Sequence, residues 1–176
     1  MQDAILCRAC WTSPRERTLD IEFFSVRARL RNMKSDHATL DYAGDDFFVA
    51  VTPSGHAQVL DFRGERSAAS GPLELLLIAL GGCTGADVVS VLRKKQEQVT
   101  AYKIEVRSER REEHPRSFRR FEVRNILRGK GISEKAVAQA IQLSTEKYCG
   151  VAATVRPTAE IVTSYEIQEE TEKKEA

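Results

Sequence analysis

A chain of 176 residues has room for one domain with a sizeable core, and not for two enzymatic domains. Hydrophobic residues at 41% and charged residues at 30% describe an ordinary globular composition, which excludes a disordered, fibrous or membrane-embedded chain. The 27 Lys and Arg against 26 Asp and Glu leave a net charge of +1, so no global field gathers nucleic acid or an anionic membrane surface.

Residues 1–32 carry six Arg and no sustained helical or strand period. They read as an N-terminal extension of unknown role, and Met33, the only internal methionine, is an alternative start. The apolar residues after Asp3 are broken at Arg8, so no signal-peptide core forms and a cytoplasmic protein is expected. Residues 33–167 form the working domain, and residues 168–176 are a charged tail expected to be mobile. Within the domain, HATLDYAG, DDFFVAVTPSG and HAQVLDF alternate partially and are punctuated by Gly44 and by the Pro53-Ser54-Gly55 turn. Three strands in an antiparallel meander are expected.

The run PLELLLIALGGCTGADVVSVLRKK predicts a helix from Pro72 to about Lys95, with leucines on every face until Gly81. A helix apolar all round must be buried on all sides, so this is the central helix. Pro72 suits the first helical position, and Arg93, Lys94 and Lys95 suit the carboxyl end of the dipole. Its uncharged apolar run, Leu75 to Ala86, is 12 residues and contains Gly81 and Gly82. A spanning helix requires roughly 20, and no membrane span is expected.

Next, AYKIEVRSERREE and SFRRFEVRNILRG alternate around His114 and Pro115 and predict a long hairpin. Tyr102, Ile104 and Val106 share one face, opposed by Phe118, Phe121, Val123 and Ile126. The mixed Arg and Glu run RSERREEHPRSFRR reads as a solvated, cross-paired β surface, and stacking platforms for nucleic acid are lacking. Ser133 followed by Glu134 starts a second helix whose face is Ala136, Val137, Ala140, Ile141 and Leu143, ending near Cys149 and Gly150. The last run, ATVRPTAEIVTSYEI, returns to strand composition, with Pro157 at its edge or its beginning. The order is βββ-α-ββ-α-β, an α+β pattern.

Cys83 lies in the most hydrophobic helix behind Gly81 and Gly82, which let a backbone or a substrate approach closely. Cys149 follows 66 positions later, at the expected end of the second helix. Brought together, the two thiols suffice for a redox cycle: one attacks an electrophile such as a peroxide oxygen and becomes a sulfenic acid, and the other condenses with it. Small buried fillers are the alternative for both.

Other chemistry-bearing residues are weaker candidates. Cys7 and Cys10 form C-x-x-C, the spacing of one edge of a zinc site or of a redox disulfide, but no second pair follows nearby. His37, His56 and His114 show no ligand-like spacing. No metal site and no cofactor is expected. Asp87, one turn after Cys83, is able to hydrogen-bond near the thiol or to repel a thiolate, and is read as structural.

The segments GPLELLLIALGGCTGADVVSVL and STEKYCGVAATV resemble the two cysteine-bearing segments of the OsmC/Ohr superfamily of osmotically inducible and organic-hydroperoxide-reducing proteins. RSERREEHPRSF, STEKYC and TSYEI further resemble its YhfA-like branch, and the resemblance covers residues 33–167. It implies an OsmC-like intertwined homodimer in which two buried central helices are wrapped by antiparallel sheets, with the cysteines near the subunit interface. It also implies Cys83 and Cys149 as catalytic residues in a peroxiredoxin-like reduction of organic hydroperoxides within an oxidative stress response. A dithiol such as a lipoyl group would reopen the disulfide.

Two departures bear on the chemistry. In the peroxidase branches a glutamate directly follows the proline before the cysteine helix and clamps an activating arginine over the thiol. Here that position is Leu73, and Glu74 comes one residue later, about 100° further round the helix. HATLDYAGDDFFVAVTPSGHA contains no arginine, leaving Arg63 and Arg66 as substitutes to examine. An ordinary thiol, with a pKa near about 8.5, is only a few per cent thiolate at neutral pH without a nearby cation or helix N-terminus. The competing expectation is therefore an OsmC-fold protein that binds a small apolar ligand with weak peroxidase activity or none.

Overall fold

The structure, a computed structural model, describes residues 37–63 and 68–170. The expectations placed on residues 1–32, Met33, Cys7, Cys10 and Arg66 lie outside the described residues. The chain forms two compact units, of which the first holds residues 37–44 and 48–58 and the second residues 45–47 and 59–170 within the described range.

Three short strands, β1 (Thr39–Gly44), β2 (Phe47–Val51) and β3 (Ala57–Asp61), form a sheet in the order β1-β2-β3. The turn into β2 uses positive φ at Gly44, Asp45 and Asp46, a conformation that Gly and Asp adopt more readily than bulky residues. The turn after β2 closes with the Gly55 N–H donating to the Thr52 carbonyl at 2.9 Å, and Ser54 Oγ lies 3.0 Å from His56 Nδ1. His56 is thus a turn residue. In the first unit the Tyr42 and Phe48 rings meet at 5.3 Å, while Leu40 and Tyr42 remain exposed.

The second unit is built on α1 (Pro72–Lys94) and the strands β4 (Gln98–Arg110), β5 (Phe118–Lys130) and β6 (Glu160–Glu169). The β4–β5 hairpin is antiparallel, with Val106 opposite Val123 and Tyr102 opposite Leu127. Phe121, Val123, Asn125 and Leu127 face inward in strict alternation. Ile126, expected on that face, pairs with Lys103 and lies on the other one, because a one-residue offset reverses the face of a strand side chain.

Here the second sheet also departs from the antiparallel expectation, since β6 runs parallel to β5. The crossover from β5 to β6 carries helices, and a connection of that kind is what a parallel return needs. On the outer face Arg120 pairs with Glu122 and Glu160, Arg124 with Glu105 and Glu166, and Arg119 with Glu109. The Arg119–Glu109 pair is the cross-strand pairing expected of the Arg and Glu run, and the other pairs extend the charged surface to its neighbours.

After β5 come α2 (Glu134–Leu143), a π-helical turn (Ser144–Tyr148) and α3 (Gly150–Val155). Ser133 caps α2, its Oγ accepting the Ala136 N–H at 3.3 Å, as the sequence signal requires. The second helix does not run on to Cys149, and the start of the supposed last strand is helical. The strand begins only at Glu160, beyond Pro157, and continues through Glu169 opposite Gly129.

Leu80, Thr84, Val88 and Leu92, spaced by four, form the buried stripe of α1. Leu80 packs with Phe118, Phe121, Val123 and Ala152, and Val88 and Leu92 pack with Leu127, Val137, Ala140 and Ile141. Beside that stripe β4 lies close to the helix: a Cβ on Gly81 would stand 3.1 Å from Val106 Cγ2, and one on Gly85 2.7 Å from Ile104 Cδ1. The glycines that weaken the helix locally admit the strand.

The expectation of burial on every side fails within one chain. Ile78 is 62% exposed and Leu73 42%, because β4, β5 and α2 cover one side of α1 and leave the other open. As expected, α1 runs through Gly81 and Gly82; it is 23 residues long with mean hydropathy 2.0 over its most apolar 18-residue window, a length and composition that the core helix of a soluble protein shares with a spanning helix.

Candidate functional site

Cys83 lies midway along α1, with Thr84 next to it in the chain and Asp87 one turn further on. Cys149 reaches it from between the π-helical turn and α3. The wide π-helical turn places Cys149 in extended conformation, its N–H donating to the Ser144 carbonyl at 2.9 Å. Cys149 then caps α3, its Sγ accepting the Ala152 N–H at 3.3 Å. Sulfur thus occupies the position an oxygen takes in an ordinary helix cap.

Both cysteines are free thiols, Cys149 buried and Cys83 half-buried. The two sulfurs and one Asp87 carboxylate oxygen all lie within 4.8 Å of one another. Asp87 Oδ2 accepts the Ser144 hydroxyl at 2.9 Å, and Thr84 Oγ1 stands 4.0 Å from the Cys149 sulfur as a weak donor. The cluster therefore joins α1 to the π-helical turn and to the start of α3. Asp87, read as structural from the sequence, stands at the two thiols.

Burial pushes the Cys149 thiol up from its ordinary range, and its hydrogen bond with Cys83 pushes it further. The Ala152 N–H and the Thr84 hydroxyl act in the opposite direction and do not prevail. At neutral pH Cys149 is a protonated thiol. Among the described residues, the groups that act on it are Cys83, Ala152 and Thr84.

Of the residues that the sequence offered in place of the activating pair, Glu74 and Arg63 are engaged elsewhere. Leu73 is partly exposed at the start of α1, and the Glu74 carboxylate accepts the Gly71 N–H at 2.7 Å, closing the helix end. Arg63 forms ion pairs with Asp45 at 3.4 Å and Asp46 at 3.3 Å. Thr84 and Ser144 are the site residues that sequence reasoning missed. Asp87 carried a signal, its four-residue spacing from Cys83, whereas nothing local marks Ser144 as its partner.

A disulfide requires about 2.05 Å between sulfurs, so side-chain rotation and a small closure must bring the two thiols together. A free dithiol of this kind supports thiol–disulfide chemistry or holds a thiophilic group between its sulfurs.

The description of an OsmC-like protein matches residues 64–164, more than half of the chain. This chain belongs to the OsmC-like family. Protein YhfA of Escherichia coli is 40% identical over 120 residues, which are 68% of this chain and 89% of that one. Among solved structures, a protein from Aquifex aeolicus is 33% identical, with a TM-score of 0.71 over 79% of this chain and all of its own. An organic hydroperoxide resistance protein from Elizabethkingia anophelis is 11% identical, with a TM-score of 0.59 over 78% of this chain and 99% of its own, and shares the fold. The OsmC-like fold thus supplies the frame in which a helix cysteine and a second cysteine near the C-terminal strand approach each other.

Proposed function

We propose that this chain is a thiol-dependent redox enzyme that reduces organic hydroperoxides through a two-cysteine cycle. The proximity of the two sulfurs, contributed by segments 66 positions apart, carries this reading. Cys83, the more accessible thiol, attacks the distal peroxide oxygen; the O–O bond breaks, an alcohol leaves, and Cys83 becomes a sulfenic acid. The Cys149 thiol then attacks that sulfur, forming the disulfide and releasing water. A dithiol reductant, of which a lipoyl group is the model, takes up the disulfide and returns two electrons and two protons. Names borne by family members as organic hydroperoxide resistance proteins support the substrate class.

The reading includes a homodimer in solution and a soluble cytoplasmic location. An open face of α1 supports the dimer. Leu77, Ile78, Gly81, Gly82, Ile104 and Val106 line a largely apolar groove of about 480 Å³ along that helix and β4, and a second copy covering it would satisfy the burial that an all-apolar helix demands. The same groove would accept the apolar tail of a hydroperoxide.

A second reading is favoured by a specific observation: Leu73 occupies the clamp position, and Arg63 is held by Asp45 and Asp46. In it the fold binds a small apolar ligand and turns over peroxide slowly or not at all. The two readings part in one experiment, the turnover of an organic hydroperoxide with a dithiol reductant in wild type, Cys83→Ser and Cys149→Ser, with intact mass followed throughout. A cycle requires loss of turnover in Cys83→Ser and a trapped Cys83 sulfenic acid in Cys149→Ser. Absence of turnover, with no peroxide-induced disulfide in wild type, leaves the binding reading.

A further inference from the structure

We propose that reduced Cys83 and Cys149, together with the Asp87 carboxylate, form a three-ligand site for one thiophilic divalent cation of the zinc class. The carboxylate is the observation that the peroxide cycle leaves unused. It lies within 4.8 Å of both sulfurs and takes no part in peroxide attack or disulfide formation. Two thiolates and a carboxylate around one point match the charge and donor set of a divalent zinc-like ion.

Geometry agrees with that assignment. A tetrahedral ion with Zn–S bonds of about 2.3 Å holds two sulfurs about 3.8 Å apart. The two sulfurs, already within 4.8 Å, therefore have to close by no more than about 1 Å, which side-chain rotation supplies. Cys83 and Asp87 are four residues apart on one helix, so they present donors to the same side, and Cys149 faces them from the α3 cap.

Each donor other than Cys83 also has an outer partner. The Ser144 hydroxyl donates to Asp87 at 2.9 Å, and the Ala152 N–H and the Thr84 hydroxyl approach the Cys149 sulfur at 3.3 and 4.0 Å. Partners of this kind orient metal ligands and stabilise thiolate charge. Three protein donors leave a fourth position for water or an exogenous ligand. Binding converts two thiols to thiolates and releases two protons, with no change in oxidation state. An occupied site cannot form the disulfide, so cation and peroxide compete for the same sulfurs.

The test uses the full-length chain carrying Cys7→Ser and Cys10→Ser, so that the amino-terminal pair contributes nothing, fully reduced and without peroxide. Cobalt(II) is titrated in, followed by its thiolate charge-transfer absorbance, and zinc is then added to displace it against a chromogenic chelator. The expected result is one equivalent per chain and an affinity at least about 100-fold weaker in Cys83→Ser, in Cys149→Ser and in Asp87→Asn, each of which replaces a donor. Ser144→Ala, which keeps all three donors and removes an outer partner, shows a loss of about 10-fold. Absence of the charge-transfer band in the folded parent chain, or unchanged affinity in folded Asp87→Asn, overturns the site. Because no peroxide is present, that failure is distinct from a failure of the redox cycle.

Discussion

The two sides of α1 differ sharply in burial. On one side, Leu80, Val88 and Leu92 are 1%, 0% and 2% exposed against β5 and α2; on the other, Ile78 and Val89 are 62% and 36% exposed although they are equally apolar. Sequence composition makes the two sides look alike. Only the packing of β4, β5 and α2 separates a side that holds the chain together from a side that holds a surface in reserve, and the candidate site lies next to that division.

The largest expected effect breaks the covered side. Val88→Asp buries an unpaired charge and should lower unfolding stability by about 4 kcal/mol or more, which denaturant titration reads. Ile78→Asp should change the stability of an isolated chain by no more than about 0.5 kcal/mol, yet convert a dimer to monomers in analytical ultracentrifugation. A wild type that is already monomeric, or an Ile78→Asp chain as unstable as Val88→Asp, would show that the two sides do not differ in this way.

Next comes the contrast between the two thiols. Alkylation of the native reduced protein should modify Cys83 first and leave Cys149 protected until unfolding. The raised Cys149 thiol binds its proton more tightly folded than unfolded. Its contribution to stability is therefore fully present below the ordinary thiol range and is lost as pH rises through the folded value. In NMR titration of labelled cysteine, its midpoint should lie above that of the urea-unfolded chain, and Thr84→Val should move it higher still by removing a donor. A native midpoint at or below the unfolded one would remove burial as the controlling influence.

The smallest effect sharpens the boundary of the helix. Glu74→Gln weakens the bond to the Gly71 N–H and should cost about 0.5–1 kcal/mol with peroxide turnover unchanged, because Glu74 closes a helix end and touches neither thiol. A turnover loss that tracks this substitution, without a stability change, would instead give Glu74 the role of the missing clamp.

Much of the fold was legible because the signals are local. Pro72 starts α1, Ser133 caps α2, and alternation marks β4 and β5, since capping and side-chain period depend on neighbours within a turn or two. The signals that failed are those that need a partner. Ile126 is apolar but out of phase with Phe121, Val123 and Leu127, and β6 reads as strand without disclosing that it runs parallel to β5. ATV after Gly150 looks like strand because Val and Thr favour β structure, yet Cys149 caps it as a helix.

The sequence by itself determined the order of the strands and of the first two helices, the central apolar helix, the two cysteines, and the resemblance that the family match bears out. These depend on residue type and spacing along the chain. The tertiary structure alone decided that the two sulfurs and the Asp87 carboxylate meet, that Ser144 orients that carboxylate, and that one side of α1 stays open. Contacts between residues 57 to 66 positions apart depend on how a crossover returns the chain to α1, and no local pattern encodes that distance.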